Sequence, residues 1–110
     1  MKILLDENLP KKLKIDYTDY EVFTVRDKGW NGIKNGELLK RILADGIDVL
    51  LTVDKTMRYQ QNFDKYPVTV LFLSTYDNSY DSLTQFTAQV KSLLNQAVLP
   101  AGVTIVQLLY

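Results

Sequence analysis

Asp6, Glu7, Glu37 and Asp54 are the side chains whose type and setting could do chemistry in this 110-residue chain. It contains no histidine and no cysteine. Ser-His-Asp and Cys-His catalysis, thiolate nucleophiles, disulfides and His- or Cys-ligated metals are therefore excluded. What remains is carboxylate, hydroxyl, amide and cationic chemistry. Asp6 closes the apolar run Ile3-Leu4-Leu5, and Asp54 closes Asp48–Val53. If those runs are neighbouring parallel strands, about 4.8 Å apart, their terminal carboxylates can share one divalent ion. Glu37, in the first turn of the second helix, and Glu7 could join them. Hard oxygen ligands suit Mg²⁺ or Mn²⁺. Such an ion activates water and offsets charge on a phosphodiester under in-line attack. The same residues also read as helix caps: Asp6 and Asn8 for the first helix, Asn35 for the second and Asp54 for the third. The pattern leaves both readings open.

The elements that must position these groups follow from apolar periodicity. Ile3–Leu5 is short and uninterrupted, like a strand buried on both faces. Asn8 and Pro10 open a short helix with Leu9 and Leu13 on one face. Glu21–Val25 is a second strand, and residues 26–34, with Gly29, Trp30 and Gly32, form a loop. A helix opens near Asn35, presents Leu38, Leu39, Ile42 and Leu43 at helical spacing, and stops at Gly46. Asp48–Val53 is a third strand and Thr56–Asn62 a short polar helix. Val68–Leu73 is a fourth strand. One longer helix then carries Leu83, Phe86, Val90, Leu93, Leu94 and Ala97, with Ser79 or Asp81 as its cap. Pro100 and Gly102 end it, and Val103–Leu109 is a fifth strand, at an edge because of polar Thr104 and Gln107. Strands alternating with helices predict a three-layer, doubly wound α/β domain, with a mainly parallel sheet of about five strands and helices on both faces. Ligands of such sheets bind at the carboxyl ends of the strands, where the strand order reverses.

Composition sets the remaining bounds. Length suits a single domain spanning 1–110. Hydrophobic residues make up 46% and charged residues 24%, as in ordinary globular proteins. Thirteen basic and thirteen acidic side chains cancel, so no overall field draws the chain to nucleic acid or an anionic membrane. The first apolar run is too short for a signal peptide. No stretch approaches the roughly 20 apolar residues of a membrane helix. The expectation is a cytoplasmic protein with no membrane partner.

The segments MKILLDENLP, EVFTVRDKGWNGIKNGELL and DVLLTVDKTMRYQQN resemble a family of small bacterial PIN-like proteins of uncharacterised function, over Met1 to about Leu73. The resemblance rests on an acidic residue after the first strand (Asp6), an acidic residue at the second helix, and Thr-x-Asp ending a later strand (Thr52-Val53-Asp54). It implies a Mg²⁺- or Mn²⁺-dependent endoribonuclease, with RNA as substrate and VapC-like toxins among its relatives. A partner antitoxin and a homodimer are implied with it. Carried over, Asp6 and Asp54 would be catalytic and hold the metal, and Glu37 could substitute as the acid of the second helix; Glu7, from its place at the rim, is a further candidate metal ligand. The chain departs from the pattern twice. Asn35 stands where many relatives have Asp, and Lys55, Thr56 and Met57 provide no further acid after Asp54. These departures imply a weaker metal site and keep open a non-catalytic RNA- or protein-binding module.

Asn8, Asn35, Thr52, Lys55, Arg58 and Gln61 are the expected pocket or RNA-contacting residues, with Gln60 and Asn62 beside them; a solvated helix face accounts equally well for residues 58–62. Lys11, Lys12 and Lys14 could border an RNA path or serve solubility. Trp30 could stack on a base, dock a partner or cap the core. Ser74 and Thr75, ending the fourth strand, should shape the pocket rather than act as nucleophiles, since no base accompanies them. The tail Leu108-Leu109-Tyr110 could cover an edge or pair with a second subunit. A receiver-like phosphoacceptor also fits Asp6, Glu7, Asp54 and Thr75 loosely, but such domains need a lysine at the end of strand five, and Val103–Tyr110 has none.

Overall fold

The apolar runs assemble as a five-stranded, all-parallel sheet in the computed structural model, which describes residues 1–59, 63–96 and 98–108. The strands are β1 (Lys2–Leu5), β2 (Glu21–Thr24), β3 (Val49–Thr52), β4 (Thr69–Leu73) and β5 (Gly102–Val106), in the order β2-β1-β3-β4-β5. The expected adjacency of the first and third strands is present, with Leu5 beside Leu51. The order reverses there: the chain runs outward from β1 to β2, then crosses back over β1 to β3.

Side-chain alternation explains why the strand sequences are apolar throughout. Ile3, Leu5, Val49, Leu51, Leu71 and Leu73 point to one face, and Leu4, Leu50 and Val70 to the other. Each face has its own cover. Helix α1 (Asn35–Ala44) lays Leu38, Leu39 and Ile42 on the second face, joined by Met57. The first face receives Leu13 and Tyr17 from the 3-10 segment Lys11–Tyr17. It also receives Leu83, Phe86, Val90 and Leu94 from the C-terminal helical run. A strand leucine buried on either side contributes roughly 1.5–3 kcal/mol. The alternation fixes the register, because a one-residue slip would exchange the two faces.

Three expectations change in detail. The segment after Pro10 is a 3-10 helix with no side-chain cap, so Asn8 does not cap it. The single C-terminal helix is instead α2 (Tyr80–Leu83), a 3-10 turn (Thr84–Phe86) and α3 (Thr87–Leu94). Ser79 does cap its start, accepting from the Ser82 N–H at 3.3 Å. The break has a visible cause: the hydroxyls of Thr84 and Thr87 both donate to Asp16, as does Tyr80 Oη at 2.7 Å. This pulls the run onto the first 3-10 segment. Thirdly, Asn35 is the first residue of α1 rather than its cap, the capping position being Lys34. Of the predicted elements, Gln60, Gln61, Asn62, Ala97, Leu109 and Tyr110 lie outside the described residues, as does the Arg58 side chain. Among the described residues no helix is long and apolar enough to cross a membrane.

Candidate functional site

The carboxyl ends of β1 and β3 carry a connected hydrogen-bond network. The Asp6 N–H donates to the Leu51 carbonyl at 3.0 Å, continuing the β1–β3 ladder one step past the strand. This holds the Asp6 side chain at the end of the sheet, where it is 6% exposed. Its Oδ2 accepts from the Thr52 hydroxyl at 2.7 Å and its Oδ1 from the Glu7 N–H at 2.9 Å. Thr52, fully buried, also accepts the Asp54 N–H at 3.0 Å and so couples the two aspartates. Asp54 Oδ1 accepts from the Thr56 N–H at 2.9 Å and from the Thr56 hydroxyl at 2.8 Å. The Asn35 amide donates to that hydroxyl at 3.1 Å.

Asp54 therefore does cap the turn that follows it, Lys55–Tyr59, and the capping interpretation holds for this residue in its literal form. Asp6 is different. Its two side-chain hydrogen bonds come from the next residue and from another strand, and its burial exceeds what a cap requires. Desolvation pushes its pKa above the usual carboxylate value, the Thr52 and Glu7 hydrogen bonds pull it back, and the charges of Asp54 and Glu7 push it up again. Among the described residues no basic side chain contributes to that balance. Burial is the largest of these influences, and the two neighbouring charges are the smallest.

The other expected ligands are spread more widely. Glu7 is exposed, and its Oε2 accepts the Gly32 N–H at 3.2 Å, tying the glycine-bearing loop to the rim. Gly32 has φ +76°, which lets the loop turn back over the strand ends. Glu37 lies in the first turn of α1 as expected, but its Oε1 pairs with Arg41 Nε at 3.3 Å, and its charge is not among those acting on Asp6. Among the described residues no three acidic side chains are grouped closely enough to hold a metal ion. The acidic groups whose charges act on Asp6 at this rim are Asp54 and Glu7.

Three cavities run along the same rim among the described residues. One of about 430 Å³ lies beside Asp6 and Glu7 and is also lined by Lys11, Arg26, Asp27 and Asn31. A second, of about 340 Å³, lies between Asn8, Lys55 and residues 75–78. The third, of about 420 Å³, opens between the ends of β4 and β5, with Lys55, Ser74 and Thr75 in its lining. Ser74 and Thr75 thus line a cavity, but one that neither Asp6 nor Asp54 lines. Of the expected lysines, Lys11 faces the Asp6 cavity, Lys12 covers the Tyr80 ring at 4.5 Å and Lys14 pairs with Asp27 at 2.8 Å. Trp30 is half-buried against the second core cluster, which makes it a core-capping residue.

Arg26 and Tyr76 line these cavities although the sequence does not single them out. Arg26 lies two residues past β2 and could have been found by extending the strand-end rule from β1 and β3 to β2. Tyr76 gives no sequence signal beyond its place shortly after β4. Comparisons with protein-family models, with curated proteins and with solved structures find no significant match for this chain.

Proposed function

We propose that this chain is a doubly wound, PIN-like domain whose Asp6–Asp54 rim holds one Mg²⁺ or Mn²⁺ ion and acts on RNA phosphodiesters as an endoribonuclease. The observation that carries the reading is the Asp6–Thr52–Asp54 connection at the point where the strand order reverses. One buried hydroxyl there holds the Asp6 carboxylate and the Asp54 main chain, and the Asp54 charge acts on Asp6.

Asp6 and Asp54 would be the principal cation ligands, and Glu7 is placed to add a third oxygen. When bound, the ion supplies Lewis-acid stabilisation of phosphodiester charge and a more acidic water. The chain's own residues supply position. Thr52 fixes the Asp6 carboxylate, while Thr56, itself held by Asn35, fixes Asp54 Oδ1. Lys11 and Arg26 border the cavity beside Asp6 and can offset substrate phosphate charge there. A toxin role with an antitoxin partner rests on the sequence resemblance alone.

A second reading, an RNA- or protein-binding module without catalysis, is favoured by one observation: Glu37 is committed to Arg41, so the acid at the second helix does not reinforce the pair. Cleavage of end-labelled, mixed-sequence single-stranded RNA separates the two. The nuclease reading expects cutting that requires Mg²⁺ or Mn²⁺ and is lost in Asp6→Asn and Asp54→Asn. Intact RNA with both metals would favour the binding module.

A further inference from the structure

The third rim cavity, between the ends of β4 and β5, differs from the other two in charge. The cavity beside Asp6 is lined by residues of both signs, and the one next to Asn8 includes Asp77. Among the described residues, Lys55 is the one charged side chain lining the β4–β5 cavity. Phe86, 1% exposed, adds an apolar group to its lining. Ser74 and Gln107 add polar groups, and Tyr76 stands at its mouth, fully exposed at 108%.

The segment that carries Tyr76 is anchored on both sides. The Ser74 N–H donates to the Val106 carbonyl at 2.9 Å. Beyond Tyr76, Asp77 accepts from the Ser79 N–H and the Ser82 hydroxyl, each at 2.9 Å. Asn78 Nδ2 reaches across to the Asn8 carbonyl at 2.9 Å. The ring is therefore presented to water from a braced turn, and stacking a ligand on it costs little further backbone ordering.

We propose that this cavity is a nucleobase subsite for single-stranded RNA, in which the base stacks on Tyr76 and its phosphate meets Lys55. An exposed aromatic ring, a buried aromatic in the lining, neutral hydrogen-bonding groups and one cation match a base with its attached phosphate, and the described lining holds no carboxylate to repel that phosphate. The volume of about 420 Å³ is within the range of small-molecule sites. The subsite rests on the reading of this rim as an RNA site but is independent of cleavage.

Binding of a fluorescein-labelled mixed-sequence RNA hexamer, followed by anisotropy in EDTA, tests it without any metal chemistry. Tyr76→Ala and Tyr76→Leu should each weaken binding roughly ten-fold, the scale of one lost base–aromatic stack. Tyr76→Phe should bind like wild type, and Lys55→Ala should weaken binding and reduce its salt dependence. Melting temperatures of the variants should match wild type, since Tyr76 is a surface side chain. Wild-type binding unaffected by Tyr76→Ala, or no wild-type binding in EDTA, would overturn the subsite. The two proposals fail separately. Metal-dependent cleavage indifferent to Tyr76 removes the subsite alone, while Tyr76-dependent binding without cleavage removes the nuclease reading alone.

Discussion

Thr52 Oγ1 donates to Asp6 Oδ2 across 2.7 Å, joining the end of β3 to the end of β1 through a bond buried in the protein. The same oxygen accepts the Asp54 N–H. One hydroxyl thus ties the Asp6 carboxylate to the main chain of Asp54. Thr52→Val, nearly equal in size, would remove a hydrogen bond to a charged group and leave the Asp54 N–H without its acceptor. Denaturant unfolding at neutral pH should show a loss of about 1–3 kcal/mol. Thr52→Ser, which keeps the oxygen, should recover most of it. Equal stability of the Val variant would show that the bond contributes nothing net.

The pH dependence of Asp6 has a definite sign. Burial raises its folded-state pKa above the usual 3.8. Below 3.8 the group is neutral in both states, and its contribution to stability is intact. As pH rises through the folded pKa, the native state must ionise a buried carboxylate, and that contribution is lost. An amide in its place does not ionise, so the melting temperature of Asp6→Asn relative to wild type should climb between acid and neutral pH. Asp27 supplies the opposite sign. Hydrogen bonds from Lys14 and the Thr24 N–H hold its pKa down to about 2, so its contribution is present above 3.8 and fades as pH falls towards 2. A difference curve for Asp6→Asn that is flat or falls with pH would contradict the burial argument.

Asn35 and Thr56 are neutral hydrogen-bonding groups around Asp54, where the proposed cation site would gain from a further acid. Asn35→Asp adds a carboxylate at this point. Without metal it should lower the melting temperature, through repulsion from Asp54 and loss of the amide donor to Thr56. With Mn²⁺ it should bind more tightly by roughly ten-fold, because ligand charge sets affinity for hard cations. Calorimetric titration of wild type and variant, with melting curves in EDTA, checks both effects. An unchanged Mn²⁺ affinity would place the cation, if bound, away from α1.

Tyr17 offers a test of the core alone. Its ring is fully buried, and its hydroxyl has no hydrogen-bond partner among the described residues. Burial raises its pKa to about 12; Thr87 lies near enough to moderate the rise, but the Thr87 hydroxyl is directed to Asp16 at 3.0 Å. Tyr17→Phe removes an unsatisfied polar atom without opening a cavity, so stability should rise by about 1 kcal/mol. A loss of similar size would reveal a hydrogen bond at that oxygen.

The path from sequence to structure was clear where burial dictates pattern and obscure where long-range polar contacts do. The apolar runs around Leu4, Leu50 and Val70 identify strands because both sheet faces are covered. Their ends in turn locate Asp6 and Asp54. Asp54 was legible as a cap because its partner, Thr56, is two residues away. Asn35 misled because its amide bonds to Thr56, 21 positions on, instead of to its own helix. The break between α2 and α3 was hidden for the same reason, its cause being Asp16 on a distant segment. Glu37 reads identically whether it faces the rim or its neighbour Arg41, and only the folded geometry decides between them.

The most direct measurement is anomalous diffraction from crystals soaked in Mn²⁺, read at the ends of β1 and β3. A single manganese peak should lie in contact with carboxylate oxygens of both Asp6 and Asp54, and it should be absent from crystals of Asp54→Asn. A soaked crystal with no peak at that rim, or with manganese bound only elsewhere on the molecule, would contradict a cation site shared by the two aspartates.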